Sequence, residues 1–169
     1  DEQPPKAAIA VQERSVLFDP QQLSTQATAT STGYTLSGEK SLVPLGGDAE
    51  LYLVAAQLHG QPRVFIVEAC TEGLGWLGDP AMGMKAAQTG TLVLDKVKLP
   101  PSALLGDTDF DYQAFIDLGV LHWCAMAVGC CQAVLDYVIP YVNEREAFGE
   151  PVSHRQGVAF MVANMGIEL

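Results

Sequence analysis

The chain has 169 residues, of which 49% are hydrophobic and 17% are charged, and its formal net charge is −11 at pH 7. That length and composition suffice for a folded domain with a core and are not those of a disordered chain. Lys and Arg together number only 9, so we do not expect the chain to bind nucleic acid or an anionic membrane through its charge.

The first part of the chain, up to about residue 99, is predicted to consist of short strands. Gly, Pro and Asp separate runs rich in β-branched and aromatic residues, and no helical periodicity lies between the runs. This pattern predicts an antiparallel β-barrel or sandwich rather than a parallel α/β sheet. The runs are AAIAVQ, YTLSGEKSLV, AELYLVAAQL, PRVFIVEA and GTLVLDKVKL.

The segment GLGWLG, residues 73 to 78, has the GxGxxG spacing of dinucleotide-binding loops. Asp79 and Pro80 follow it instead of a helix, so no helix N-terminus would face a pyrophosphate. We interpret it as a turn that leads into another strand.

The last part of the chain is predicted to be helical. A long helix is expected from about residue 110 to 146, with Pro140 inside it as a kink and Gly149 and Pro151 at its end. Ser153 is the predicted N-cap of a second helix that reaches the last residue.

Residues 118 to 135 carry no charged side chain, and such a run is about the shortest that can span a membrane. Asp117 and Asp136 bracket the run and His122 interrupts it. We predict a buried helix of a larger bundle, no membrane span, and a core position for His122. Two such helices cannot bury each other's apolar surface, so the helical part is expected to need more chain or a partner.

The four cysteines form no CxxC pair. We predict neither a disulfide framework nor a metal site, and we interpret Cys70, Cys124, Cys130 and Cys131 as reduced residues of an intracellular protein. The first residues, DEQPPKAAIA, have neither a basic start nor a long apolar run, so no signal peptide is expected.

The stretch NEREAFGEPVSHRQ, residues 143 to 156, places Arg145, Phe148 and Gln156 around a turn. Arg145 could cap helix carbonyls or pair with Glu144 or Glu146. Alternatively, its guanidinium could bind a diphosphate through two hydrogen bonds, with an aromatic ring and an amide beside it. The residues alone leave both interpretations open.

The same stretch resembles the RxxFGxxxxxxxQ element of the acyl-CoA dehydrogenase family. Further resemblances occur in the family's order, in GYTLSGEKSLVPLGGDAELYLVAA, FIVEACTEGLG, TLVLDKVKLPPSALLG and VLDYVIPYVNEREAFG. The last of these is most similar to isovaleryl-CoA dehydrogenases. Together they cover roughly residues 9 to 169.

The resemblance implies an α+β multidomain fold, with an antiparallel β-barrel or sandwich followed by part of an up-down helical bundle. Residues 1–106 would be the family's middle β-domain and residues 107–169 the first two helices of its C-terminal helical domain. The family's N-terminal helical domain and last helices are not matched. The implied activity is α,β-oxidation of an acyl-CoA thioester, with FAD as hydride acceptor.

The resemblance also implies the site residues. Arg145, Phe148 and Gln156 match the element that holds the FAD of a neighbouring subunit, and Val11 and Gln12 fall where the first strand of the β-domain lies along the flavin. This predicts at least a homodimer, or a homotetramer, with an electron-transfer flavoprotein or similar acceptor as partner. The expected location is the bacterial cytoplasm or the mitochondrial matrix.

The chain departs from the family at three places. The TEPxxGSD loop falls on residues 12 to 19, where only Glu13 and Asp19 match, and the flavin-side WxT falls on residues 42 to 44, with Leu42 and Pro44 in place of Trp and Thr. The position of the isovaleryl-type catalytic base is Gly119, so no base is identified.

These departures leave several functions open. The chain alone is expected to be inactive as a dehydrogenase. The alternatives are a non-catalytic or flavin-poor partner subunit on the same scaffold, a flavin monooxygenase or nitroalkane-oxidase-like enzyme, and, outside the family, a β-barrel binding module with a helical dimerisation tail.

Overall fold

The computed structural model describes residues 4–45, 47–83, 85–106 and 110–169. The chain divides into two compact units, Asp1–Tyr112 and Gln113–Leu169. The boundary predicted after residue 106 adjoins residues 107–109, which lie outside the described residues.

The first unit is built on one sheet of seven strands, in the order β1-β4-β2-β3-β7-β6, with β5 paired to β4. Alternation of apolar and polar residues along the strands buries one face of the sheet. The strands are β1 (Ala7–Ala10), β2 (Gln26–Thr30), β3 (Gly33–Val43), β4 (Leu51–Leu58), β5 (Gln61–Glu68), β6 (Leu74–Gly78) and β7 (Gly90–Leu99).

The curled sheet fits the predicted β-barrel class, but it is mixed, with two parallel pairings that the sequence did not predict. β1 and β2 both pair in parallel with β4, β1 along its first half and β2 at its last residues, Gln57 and Leu58. The other pairings, β2–β3, β3–β7, β4–β5 and β6–β7, are antiparallel. The two parallel partners follow each other along one edge of β4, so the sheet curls into the predicted barrel-like domain.

Two strands extend the sequence prediction. β2 was not predicted, because QATAT is too small and polar to indicate a strand. GLGWLG is itself strand β6 rather than a turn that leads into one, and it pairs with β7. A pyrophosphate-binding loop at this segment is therefore excluded.

The core of the first unit is a cluster of aliphatic side chains closed by one aromatic pair. Phe65 is fully buried and meets Tyr34 edge to face, with 5.2 Å between the ring centroids. The aliphatic members with no exposed surface include Leu36, Val54, Leu92 and Val97.

The second unit contains two helices joined by a short hairpin. α1 (Tyr112–Glu144) includes Pro140 and ends earlier than predicted, and α2 (Gln156–Glu168) follows. Gly149 and Pro151 belong to the hairpin of β8 (Glu146–Ala147) and β9 (Glu150–Pro151). The prediction that Ser153 caps α2 is wrong: Ser153 lies in a 3₁₀ turn, and Arg155 is the N-cap.

The helices carry much exposed apolar surface. His122 and the cysteines of α1 are exposed within the described part of the chain, so the predicted burial of this helix in a larger bundle stays a prediction. The four cysteines are free. By length and composition alone α1 could cross a membrane, but a single helix of this kind is weak evidence, since core helices of soluble proteins share these properties.

Substitution of Gly33 by Ala tests the path of β3. Gly33 has φ 144°, and a Cβ there would overlap the carbonyl oxygen of Leu99. We expect Gly33→Ala to lower the free energy of unfolding by about 3 kcal/mol or more. The measurement is denaturant unfolding followed by the fluorescence of Trp76 in a Trp123→Phe background.

Gly60→Ala is the matched control. Gly60 also has a positive φ, 77°, but nothing lies within 4 Å of the added Cβ. Its cost should be about 1 kcal/mol, from backbone strain alone. Equal losses in the two variants would contradict the close approach of β3 and β7.

Candidate functional site

The predicted site residues fall into two groups, one in each unit. The first unit contains Val11, Gln12, Leu42 and Pro44, and the second contains Gly119, Arg145, Phe148 and Gln156.

In the first unit, the segment after β1 lies against the end of β3. The Ser41 backbone N–H donates to the Gln12 carbonyl at 2.9 Å, and the Lys40 Nζ donates to the Val11 carbonyl at 3.2 Å. The structure therefore brings Val11 and Gln12 beside Leu42, as a shared ligand site requires.

Leu42 lies at an irregularity of β3. The register between β3 and β7 shifts between Lys40 and Val43, and Leu42 has φ 53°, a conformation that a bulky residue rarely adopts. Its side chain is 61% exposed, whereas Val43 is buried and Pro44 is half-buried. The bulge thus turns Leu42 outward while Val43 packs in the core.

A buried ion pair underlies this junction. The Lys40 side chain has no exposed surface, and its Nζ lies 2.7 Å from the Glu13 Oε1. Glu13 also accepts hydrogen bonds from the backbone N–H groups of Ser24, at 2.6 Å, and Thr25, at 2.9 Å. One carboxylate therefore joins the segment after β1, the segment before β2, and β3.

The pKa values of the pair follow from burial and from these bonds. Burial raises the pKa of Glu13, but hydrogen bonds from Lys40, Thr25 and Ser24 outweigh it and lower that pKa from 4.5 to about 2. Burial lowers the pKa of Lys40 from 10.5 to about 8, and Glu13 opposes the change only in part. Both groups are therefore charged at neutral pH.

Tyr112 is the last residue of the first unit and is buried close enough to Glu13 to feel its charge. Its hydroxyl donates to the Pro20 carbonyl at 2.9 Å. Burial, together with the negative charges of Glu13 and Asp19, raises the pKa of Tyr112 to about 12. The hydroxyl thus remains a hydrogen-bond donor at any physiological pH.

In the second unit, the hairpin presents Phe148 at its tip. Ala147 pairs with Glu150, and the two residues between them, Phe148 and Gly149, have φ angles of 60° and 82°. Two positive φ angles are typical of a type I′ turn, for which Asn-Gly is the preferred sequence. A Phe in this strained position, with 95% of its side chain exposed, suggests a binding role for the ring.

Arg155 holds the hairpin from the side of α2. Its guanidinium carbon lies 5.0 Å from the centre of the Phe148 ring, a cation–π distance, and its Nη2 donates to the Ala147 carbonyl at 3.4 Å. Gln156 is the first residue of α2 and is exposed. Arg155 thus contacts Phe148 and directly precedes Gln156 in the chain.

Arg145 is fixed by its backbone and has an exposed side chain. Its N–H donates to the Tyr141 carbonyl at 2.9 Å, and its carbonyl accepts from the Val152 N–H at 2.8 Å. Across the described parts of the chain, the guanidinium has no ion pair with Glu144, Glu146 or any other carboxylate. It is therefore available to an anionic ligand.

Gly119 gives α1 no catalytic group. A Cβ at this position would meet nothing within 4 Å, and nearby Asp117 accepts a hydrogen bond from Gln113 at 2.7 Å. A cavity of about 490 Å³ lies between α1 and α2. Its lining is mostly apolar and includes Val128, Cys131, Val134 and Met165.

Sequence reasoning missed two residues, Lys40 and Arg155. Lys40 has the same strand parity as buried Leu36, so strict alternation along β3 could have indicated a buried lysine. Arg155 directly precedes Gln156, but its contact with Phe148 depends on a turn that the sequence FG does not favour.

Comparisons with known proteins match almost the whole chain. Residues 8–97 match the family described as "Acyl-CoA dehydrogenase, middle domain", and residues 112–169 match "Acyl-CoA dehydrogenase, C-terminal domain".

Curated relatives and solved structures agree with these matches. The caffeyl-CoA reductase-Etf complex subunit CarC of Acetobacterium woodii is 30% identical over 97% of this chain and 46% of that protein. The mitochondrial short/branched chain specific acyl-CoA dehydrogenase of Rattus norvegicus is 31% identical over 87% of this chain and 36% of that protein. The structure of butyryl-CoA dehydrogenase from Megasphaera elsdenii superposes with a TM-score of 0.82, at 30% identity, over 97% of this chain and 45% of that one. The chain thus spans less than half the length of each.

The acid dependence of stability tests the buried ion pair. Because the folded-state pKa of Glu13 is depressed, its stabilising contribution is complete above pH 4.5 and is lost as the pH falls towards about 2. We expect Glu13→Gln to flatten the unfolding free energy in this interval and to lower it at pH 7 by about 3 kcal/mol. Denaturant titrations from pH 2 to 7 measure this, and an unchanged acid dependence would contradict the pair.

Proposed function

Because the chain belongs to the acyl-CoA dehydrogenase family, we propose that it is part of an FAD-dependent acyl-CoA dehydrogenase that oxidises a thioester at its α,β bond. The observation that carries this proposal is the exposed guanidinium of Arg145, which has no ion pair within the described residues and directly precedes a hairpin whose tip presents Phe148. The coverage of less than half of each relative and the large exposed apolar side chains of both helices support this proposal of a part.

The residues present in the second unit fit the phosphate and adenine ends of FAD. Arg145 supplies two parallel donors for a diphosphate, and the amide of Gln156 supplies a further polar contact. The Phe148 ring is held outward by the turn and by Arg155, so it offers a face to a flat heterocycle. By the family resemblance, this element serves the FAD of a neighbouring copy, which makes the proposed protein a homodimer or homotetramer.

The residues of the first unit fit the flavin end less fully. A backbone edge is formed by Val11 and Gln12 beside the end of β3, where the Leu42 side chain turns outward. This edge can lie along a flat ring. Pro44 has no N–H and no hydroxyl, so it supplies no hydrogen bond where the family has Thr. We propose that this site contacts the flavin mainly through its backbone and apolar surface.

Bound FAD would supply the hydride acceptor for the oxidation. The side chains described here bind and orient the ligand, and none is proposed to move the α-proton. Since Gly119 lacks a carboxylate, a dehydrogenase reaction would need a base from outside these 169 residues, and a protein without one would be the non-catalytic subunit considered below. The 169 residues alone are therefore proposed to be inactive.

A second candidate function is a flavin-poor partner subunit on the same scaffold. Leu42 and Pro44 favour it, since both remove groups of the family's flavin-side motif. The similarity to a protein named as a subunit of a reductase–Etf complex is consistent with it. The intact element around Arg145 opposes it.

Bacterial and mitochondrial proteins occur among the relatives. We propose acyl-CoA as substrate, an electron-transfer flavoprotein or similar acceptor as partner, and the bacterial cytoplasm or the mitochondrial matrix as location.

Arg145→Ala tests the proposed cofactor site. Loss of a charge-assisted hydrogen bond should raise the dissociation constant of FAD from the full-length protein by about 10- to 100-fold. Quenching of flavin fluorescence on binding measures it.

Arg63→Ala is the control for loss of positive charge, because Arg63 lies on β5 and donates to Gln61 at 3.1 Å. Its FAD affinity should equal that of the wild type. An equal affinity in Arg145→Ala would overturn the assignment.

Phe148→Asn separates the binding role of Phe148 from its structural cost. Asn adopts positive φ more easily, so the variant should melt at the same or a higher temperature. Loss of the ring should weaken FAD binding about five-fold or more. Phe148→Tyr keeps the ring and should bind as the wild type does; a lower melting temperature with unchanged affinity in Phe148→Asn would show that the ring is structural.

A further inference from the structure

The buried pair Glu13–Lys40 lies next to the backbone of Val11 and Gln12 but has no part in the proposed chemistry. Each of its bonds reaches a residue within two positions of Val11, Gln12 or Leu42, or one of the two residues just before β2. A buried network in this place either stabilises the sheet or sets the position of the backbone around Val11, Gln12 and Leu42.

Stability alone is a poor explanation for the pair. Removing two charges from water is costly, and apolar residues of similar volume often replace a buried ion pair without loss of stability. The rest of the core cluster of the first unit consists of aliphatic and aromatic side chains, so such a replacement would fit its surroundings. A buried pair is better suited to select one arrangement of the segments that it joins.

The contacts of Lys40 show which arrangement is selected. Its ammonium bonds the Glu13 carboxylate and the Val11 carbonyl, and the next residue of β3, Ser41, bonds the Gln12 carbonyl. The Glu13 carboxylate is itself anchored by the N–H groups of Ser24 and Thr25. These bonds therefore fix the position and the direction of residues 11–13 against β3, at the two residues of β3 that precede the bulged Leu42.

We propose that Glu13 and Lys40 are positioning residues that set the backbone of Val11 and Gln12 against Ser41 and Leu42, and thereby orient the edge that meets the flavin ring. The inference rests on the proposed function for its ligand. Its structural half, the fixing of residues 11–13, does not depend on any ligand.

The test compares Lys40→Met with Lys98→Met in the full-length protein. Methionine matches the length of lysine without its charge, and Lys98 is an exposed residue of β7 in the same sheet. Glu13→Gln is the second variant, which keeps the side-chain shape should Lys40→Met fail to fold.

The first readout is amide hydrogen exchange without FAD. Exchange of the Ser41 and Thr25 N–H groups, which bond Gln12 and Glu13, should accelerate by about ten-fold or more in Lys40→Met and stay unchanged in Lys98→Met. Unchanged exchange at both groups would overturn the inference whether or not the protein binds FAD.

The second readout is the visible circular dichroism of bound flavin at saturating FAD, with the dissociation constant. We expect a changed flavin spectrum and a dissociation constant raised about ten-fold in Lys40→Met, restored in Lys40→Arg. A lowered melting temperature with wild-type flavin spectrum and affinity would show a purely structural role. A wild-type protein that binds no FAD would refute the proposed function, and hydrogen exchange would then decide separately whether the pair fixes residues 11–13.

Discussion

The arrangement of the first unit depends on a single buried carboxylate. The Glu13 carboxylate accepts hydrogen bonds from the ammonium of Lys40 and from two backbone N–H groups. Through these bonds it joins three segments that are distant in sequence. Because an unpaired charge in this place would be costly, the segments must meet in one register or not at all. The backbone arrangement of Val11 and Gln12 against the end of β3 is a consequence of this meeting.

The second unit is under a different constraint, because its two helices expose a large apolar surface. α1 and α2 expose large side chains, among them Trp123, Met126 and Phe160, and exposed surface of this extent marks a contact with further chain or with another copy. The hairpin between the helices differs from them: it exposes the Phe148 ring, which contacts Arg155, and it directly follows the exposed Arg145. The second unit thus has an apolar packing surface on its helices and a proposed binding element in the short connection between them.

Sequence reasoning succeeded where local chemistry dominates. Runs rich in β-branched and aromatic residues, separated by Gly, Pro and Asp, predicted most strands of the first unit. The long apolar run predicted α1, and the sequence predicted a turn where the structure has the hairpin. It failed where distant segments decide the outcome. The parallel pairing of β1 with β4 depends on contacts across more than forty residues of chain, and the small polar strand β2 forms because β3 and β4 flank it. Ser153 does not cap α2, because the turn after Pro151 forms a 3₁₀ helix first. Lys40 is buried only because Glu13 reaches it from another segment.

The central claim is that this chain contributes to an FAD site that oxidises acyl-CoA, and one spectrum tests it most directly. The full-length protein, purified without added cofactor, is placed under anaerobic conditions and its visible absorbance is recorded before and after addition of an acyl-CoA. The account predicts flavin bands that bleach as the thioester is oxidised. A protein that stays colourless even after incubation with FAD would contradict it and favour the flavin-poor partner subunit, with Leu42 and Pro44 as the physical reason.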